Sequence, residues 1–366
     1  MGVCYNYLVV FIEEGYKEKM KKRFPLILAV LAFALVFPGC SGEKNYDITT
    51  MNMDKYMTLG EYKGITVDYT PKTADDEAIQ EQIKSMMISN SEKIAIKEGT
   101  AKKGDLVNIN YVGYKDDVPF DGGTANSQNV LIGAGNYIPG FEEAIIGLKP
   151  GETVDAKMTF PEEYHNADLA GQDVVFAITL NFIYPEITDE VVAQMENSKY
   201  TTKEEFENYA REVVEKDLEE SNSTAVTTLA FEKILENSMF KEIPDVVKEN
   251  QKADLEKKYA VAIEGGAGGL DSVIPYLYGC SAEELIEVYS KQRMAIQAIA
   301  KKEGITVTDE EVEARLTEVG AMYGMDGENY LKVNDISREK FKELMISEKV
   351  KTFIYENTNT PGAAEE

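Results

Sequence analysis

Side chains able to make or break bonds are scarce in this sequence, and their spacing removes most of what they could do. The one histidine, His165, follows Tyr164, and the three cysteines, Cys4, Cys40 and Cys280, lie far apart with no CxxC pair. That spacing argues against a His/Cys metal site. A Ser–His or Cys–His relay would have to use the single histidine, with no nucleophile-elbow motif beside it. The acidic run from Glu215 to Glu220 reads as a solvated helix face and not as a metal site. Asp121 precedes two glycines, where a turn residue is ordinary. Tyr111, Ile138 and Phe176, taken singly, read as core residues in or beside strands. Cys280 reads as a small buried residue.

The elements that would position these residues change character along the chain. Residues 41–58 are polar and read as a loose tether, with Met51, Met53 and Met57 as a candidate client-contact patch on it. Residues 59–102 hold an expected strand, over 59–70, and a helix over 74–90 with Ile79, Ile83, Met86 and Met87 at helical spacing. Thr73 and Asp76 give that helix a capping signal. From 103 to 185 the texture turns to short strands and Gly-rich turns. Val107, Ile109 and Tyr111 alternate on one strand, and Val118–Asp121 and Asn129–Ile132 read as two more. A short helix is expected over Gly140–Ile146, and strands over Thr153–Phe160 and Val174–Ile183. The order fits an α+β fold, a half-open antiparallel sheet around one short helix. Residues 186–358 are almost all helix, with capping-box patterns at Thr202/Glu205, Ser281/Glu284 and Thr308/Glu311 and a helix start at Pro244. Residues 359–366 read as a disordered tail.

Residues 20–40, MKKRFPLILAVLAFALVFPGC, carry a basic n-region, an apolar stretch and a terminal Gly39–Cys40. They resemble a bacterial lipoprotein signal, with Phe37 where leucine is usual. The resemblance implies lipidation of Cys40 and an extracytoplasmic protein anchored to the cell membrane. Met20 begins a complete signal, so residues 1–19 read as a mis-assigned start.

Three ordered blocks carry a second resemblance: GDLVNINYVG (104–113), NYIPGFEEAIIGLKPGE (136–152) and FPEEYH (160–165), followed by LAGQDVVF (169–176). Residues 103–185 resemble the FKBP domain of the trigger factor family. Residues 186–358 resemble that family's C-terminal helical arms, and 59–102 the linker before its FKBP domain. The family's ribosome-docking domain has no counterpart, so no ribosome partner is expected. The resemblance implies peptidyl-prolyl cis/trans isomerase activity, with a pocket at Tyr111, Phe120, Asp121, Ile138, Phe141, Tyr164 and Phe176. Phe141 would be the floor under the prolyl ring, where most single-domain FKBPs have tryptophan. The Ile138 N–H and the Tyr164 hydroxyl would donate to the substrate, Asp121 would polarise the wall, and Tyr137 would lie at the rim.

Such chemistry suits a chain poor in histidine and cysteine. Rotation about an X–Pro bond faces a barrier of about 18–20 kcal/mol from amide resonance. No bond breaks, so no metal or cofactor is expected. An apolar pocket disfavours the charge-separated planar amide, and placed donors can hold the carbonyl as it turns. The partners implied are partly folded exported proteins containing X–Pro bonds. Met322, Tyr323, Met325, Tyr330 and Leu331 are candidate client contacts on the arm, set against ordinary packing of its helices. A net charge of −27 disfavours nucleic acid. The alternatives are a non-catalytic tethered holdase and a solute-binding lipoprotein. The second lacks the βαβ alternation it would need.

Overall fold

The computed structural model describes residues 48–195 and 199–361. The leader, Cys40 and residues 41–47 lie outside the described residues, as do 362–366. In chain order the elements begin with two short strands, β1 (Met57–Thr58) and β2 (Ile65–Thr66), and helices α1 (Asp76–Ser89) and α2 (Ser91–Ile94). Strands β3 (Leu106–Lys115) and β4 (Val118–Leu131) are followed by helix α3 (Phe141–Ile145), then β5 (Thr153–Thr159) and β6 (Asp173–Ile183). Helices α4 (Asp189–Val192) and α5 (Lys203–Asn237) precede the short strand β7 (Met239–Phe240). Helices α6 (Asp245–Lys258), α7 (Ala260–Ala262), α8 (Leu270–Tyr278) and α9 (Ala282–Glu303) come next. The chain closes with α10 (Asp309–Met322), α11 (Gly327–Val333), α12 (Arg338–Glu356) and the short strand β8 (Thr358–Asn359). Two compact units result. One is Thr73–Leu218, built on the sheet. The other joins the chain up to Lys72 with everything from Glu219.

The sheet unit carries one antiparallel sheet in the order β4-β3-β6-β5. Period-two alternation on β3 buries Val107 and Ile109 completely on one face. The other face holds a polar ladder. Asn181 Nδ2 donates to Asn108 Oδ1 at 2.8 Å and to Asn110 Oδ1 at 2.9 Å, and Asn108 Nδ2 donates to Asn129 Oδ1 at 2.7 Å. Asn110 Oδ1 also accepts the Ser127 N–H at 2.8 Å, where the backbone takes φ 56°. This bond holds a bulge between Ile109 and Tyr111 on the β3–β4 ladder. It explains why the two short strands expected at 118–121 and 129–132 are one. In the polar run between them Thr124, Ala125 and Gln128 pair with β3, a pairing that no apolar alternation announces. A separate apolar cluster ties Ile79, Ile83 and Met87 of α1 to Tyr184, Val192, Tyr200, Phe206, Ala210 and Val214. Residues 186–218, read from sequence as the start of the helical arm, therefore belong with the sheet. The cap of α1 is Asp75, whose carboxylate accepts the Ala78 N–H, and not Thr73 or Asp76.

The helical unit corrects the reading of its N-terminal segment. Ile48, Met53 and Met57 are buried in its core, and Met51 packs against it. Residues 48–58 are thus neither a loose tether nor a methionine patch. Strand β1 pairs antiparallel with β7, and β2 pairs parallel with β8. The expected continuous strand over 59–70 reduces to the two-residue β2, with Tyr62, Ile65 and Val67 buried. Asn359, assigned to the tail, is a member of β8. The three capping patterns form as read, and α6 starts directly after Pro244. Tyr330 and Leu331 are buried, while Met322 and Tyr323 are exposed. Cys280 is buried, and burial pushes its thiol pKa up.

Charge is also built into this unit. Arg293 donates two hydrogen bonds to Glu343, and Lys340 donates to Asp254 at 2.6 Å; all four side chains are largely buried. Burial alone would raise the Glu343 carboxyl pKa, but Arg293 and Lys340 outweigh it and hold the group below the ordinary range. Removing one partner of such a group strands the other in a dry place. Glu343→Ala should cost about 3–5 kcal/mol of unfolding free energy in urea. Because the native pKa is depressed, the Glu343 contribution is complete above the unfolded carboxylate value. It should be lost as pH falls through the lower native value, and a urea series against pH would read that loss.

Candidate active site

Six aromatic rings meet on one face of the sheet, and each comes from a different place. Tyr111 lies on β3, Phe120 on β4 and Phe176 on β6. Phe160 follows β5, Tyr164 sits in the loop toward β6, and Phe141 is the first residue of α3. Phe141 is 1% exposed at the centre. Tyr111 and Phe176 meet it edge to face, each with centroids 5.2 Å away. Phe120 meets Phe176 edge to face at 5.7 Å, and Tyr164 lies on Phe160 at 4.5 Å. Each such ring pair adds about 0.5–1.5 kcal/mol beyond its burial.

Room for Phe120 comes from a missing side chain. A β-carbon on Gly113 would stand 2.6 Å from the Phe120 ring and 2.7 Å from the Phe176 ring. Gly113 pairs directly with Phe176 across the sheet, so the absence of a side chain there lets the two rings close over β3.

Of the seven residues expected at the pocket, the fold brings together Tyr111, Phe120, Ile138, Phe141, Tyr164 and Phe176 in one apolar cluster. Asp121 is different. It is exposed on β4, and no hydrogen bond to its carboxylate occurs among the described residues. Two donors at the rim have no partner among the described residues: the Ile138 N–H and the Tyr164 hydroxyl. The Tyr111 phenol pKa is raised, by burial first and by the neighbouring Tyr164 second.

Sequence reading missed Glu142. This carboxylate is 5% exposed, yet it accepts N–H bonds from Gly133 at 2.7 Å, Asn136 at 2.9 Å and Gly135 at 3.1 Å. Burial acts to raise its pKa, and the donors from Gly135, Gly133, Asn136 and Tyr137 more than reverse this, holding it below the ordinary carboxylate value. The carboxylate thus gathers the loop that carries Tyr137 and Ile138. Gly140, at φ 94°, lets the chain turn from that loop into α3. A glutamate directly after the central aromatic residue, preceded by a Gly-rich loop, was the available signal. Phe160 was visible only as part of a matching block.

Residues 97–181 match the family described as FKBP-type peptidyl-prolyl cis-trans isomerase, and residues 275–356 match the bacterial trigger factor protein C-terminus. A trigger factor from Anoxybacillus flavithermus is 31% identical over 301 residues, covering 79% of this chain and 67% of that protein. The chain belongs to the trigger factor family. A trigger factor from Clostridioides difficile is 30% identical over 295 residues, covering 78% of this chain and 68% of its own. The chain thus spans about two thirds of the length of these trigger factors. A solved trigger factor chaperone structure aligns with 82% of this chain and 72% of its own, at 19% identity and a TM-score of 0.37. Membership accounts for the α+β sheet unit followed by helices, and supports chaperone and isomerase roles in general.

Glu142→Gln removes the charge that the loop N–H groups converge on. Bonds to a charged group contribute roughly 1.5–3 kcal/mol each, so a loss of about 2 kcal/mol in stability is expected. The loop amides of Gly133, Gly135 and Asn136 should lose hydrogen-exchange protection. The native pKa is lowered, so protection in the unaltered protein should persist through the ordinary carboxylate range and fail only below it.

Proposed function

We propose that this protein is a peptidyl-prolyl cis/trans isomerase and chaperone that assists the folding of exported proteins. The observation that carries the catalytic half is the ring of aromatic side chains around Phe141 with two unpartnered donors at its edge. A prolyl ring entering this cluster leaves water. The planar amide, which is the more polar state, then loses more solvation than the twisted one. The Ile138 N–H can hold a substrate carbonyl through the rotation, and the Tyr164 hydroxyl can donate beside it. Asp121, exposed on β4, lies outside the apolar cluster and could act only from the wall. His165 lies against Tyr164 with centroids 4.2 Å apart, and rotation needs no base.

The chaperone half rests on family membership and on exposed apolar side chains of the helical unit. Tyr276 is 89% exposed, and Leu277, Met322 and Tyr323 are also open to solvent. Such adaptable residues suit unfolded clients of varied sequence. Joining them to an isomerase pocket would raise the local concentration of client prolines.

The export and membrane half rests on the sequence of residues 20–40, with lipid on Cys40 as the anchor. No described helix is long and apolar enough to cross a membrane. The second reading, a tethered holdase without catalysis, is favoured by one observation. Tyr137 stacks on Phe141 and covers the ring that a prolyl group would need.

Exchange NMR on a Phe-Pro peptide, and refolding of a proline-limited protein, separate the two readings. The isomerase reading expects both to accelerate. Phe141→Ala should reduce kcat/KM by more than about tenfold, equivalent to ~1.4 kcal/mol of transition-state stabilisation, and Tyr164→Phe by a smaller factor. Suppressed aggregation with no acceleration on either substrate would leave the holdase.

A further inference from the structure

The Tyr137 ring lies on Phe141 with centroids 4.5 Å apart and planes 9° from parallel. Tyr111 and Phe176 meet the Phe141 ring edge to face, and only 1% of its surface is exposed. A prolyl ring seated on Phe141 needs one open face. In the free protein that face is taken.

We propose that Tyr137 is a gate, a side chain that occupies the prolyl seat on Phe141 in the free protein and swings out when an X–Pro segment binds. The proposal rests on the isomerase reading of the pocket. The backbone beneath the gate is fixed, because Glu142 holds the N–H groups of Gly133, Gly135 and Asn136. Movement is therefore confined to rotation of the Tyr137 side chain, whose neighbour Ile138 keeps its N–H in place for substrate. The closed position is held by the stacked contact with Phe141. Tyr137 is itself only half-buried, so its outer face meets water and its rotation outward needs no rearrangement of the core.

A self-occupied seat lowers apparent affinity by the fraction of molecules that are open. An apolar substrate residue can replace the stacking that Tyr137 gives up, whereas a free proline ring alone replaces less of it. The gate thus keeps the apolar seat dry and covered between clients, and opening is charged to each binding event.

The test uses the full chain labelled with 3-fluorotyrosine, with the Tyr137 resonance assigned by its absence in Tyr137→Phe. Stacking on Phe141 should shift that resonance away from the position of exposed tyrosines. Addition of a Phe-Pro tetrapeptide should move it toward the exposed position in step with saturation. In exchange NMR, Tyr137→Ala should lower KM by about three- to tenfold, the reciprocal of the open fraction it restores. Tyr137→Phe, which keeps the stacked ring, should leave KM close to that of the unaltered protein. Tyr137→Val, which keeps an apolar side chain too small to cover the ring, serves if the alanine variant does not fold.

Failure of the gate and failure of the isomerase reading look different. Turnover by the unaltered protein with no movement of the Tyr137 signal, or a raised KM in Tyr137→Ala and Tyr137→Val, would overturn the gate and make Tyr137 a wall of the pocket. Movement of the signal on peptide addition without turnover would keep the gate and sink the isomerase.

Discussion

A carboxylate without a cation organises the pocket. Glu142 is nearly dry, and among the described residues its charge is met by backbone N–H groups of the loop that wraps around it. An ionised group in that position would be expelled or neutralised unless several donors converged on it. The convergence fixes the loop, and the loop carries both Tyr137 and Ile138. Glu142 also follows Phe141 directly on α3. Successive helical residues point about 100° apart, so one short helix sends an aromatic floor one way and a loop clamp another. The seat and its rim are consequently parts of one local structure.

Around that helix, the sheet supplies rings from three adjacent strands, and the close pairing of Gly113 with Phe176 allows them to interlock. The polar ladder of Asn108, Asn110, Asn129 and Asn181 on the opposite face has a matching role. It fixes register, and a one-residue slip would turn Tyr111 and Phe176 out of the pocket. The helical unit is held by different means, with a buried network of Arg293, Lys340, Asp254 and Glu343 alongside its apolar core.

Much of this was legible before any coordinates. Apolar alternation on β3 and β6, and the capping pairs at Ser281 and Thr308, are local signals with a fixed period, and they placed their elements closely. The aromatic pocket was legible through resemblance, because rings from strands far apart in sequence have no period linking them. What the sequence hid was long-range. Met53 and Met57 sit in a polar stretch and gave no sign of a core most of whose other members lie beyond residue 219. The bulge at Ser127 depends on a side chain from another strand. Asp121 was carried over from the family pattern, and only the structure shows that it is exposed and outside the apolar cluster. Glu142 resembled any surface glutamate, since its donors are backbone groups that a sequence does not display.

The helical unit is discontinuous: its first segment ends at Lys72 and the rest begins at Glu219. Joining the two ends of a flexible chain of about 150 residues would cost roughly 4 kcal/mol in loop entropy. The intervening Thr73–Leu218 removes that cost by its own folding, because Ala74 at one end and Leu218 at the other pack against the same apolar cluster. Its ends are then already together, as in domains that tolerate insertion into another chain. The polypeptide is in effect a host interrupted by a guest, and the guest must be made first. During synthesis, residues 48–72 emerge with no partners and wait until the whole sheet unit has followed them. The order of assembly is set by connectivity alone, with the sheet unit complete before the helices that pack on the N-terminal segment exist.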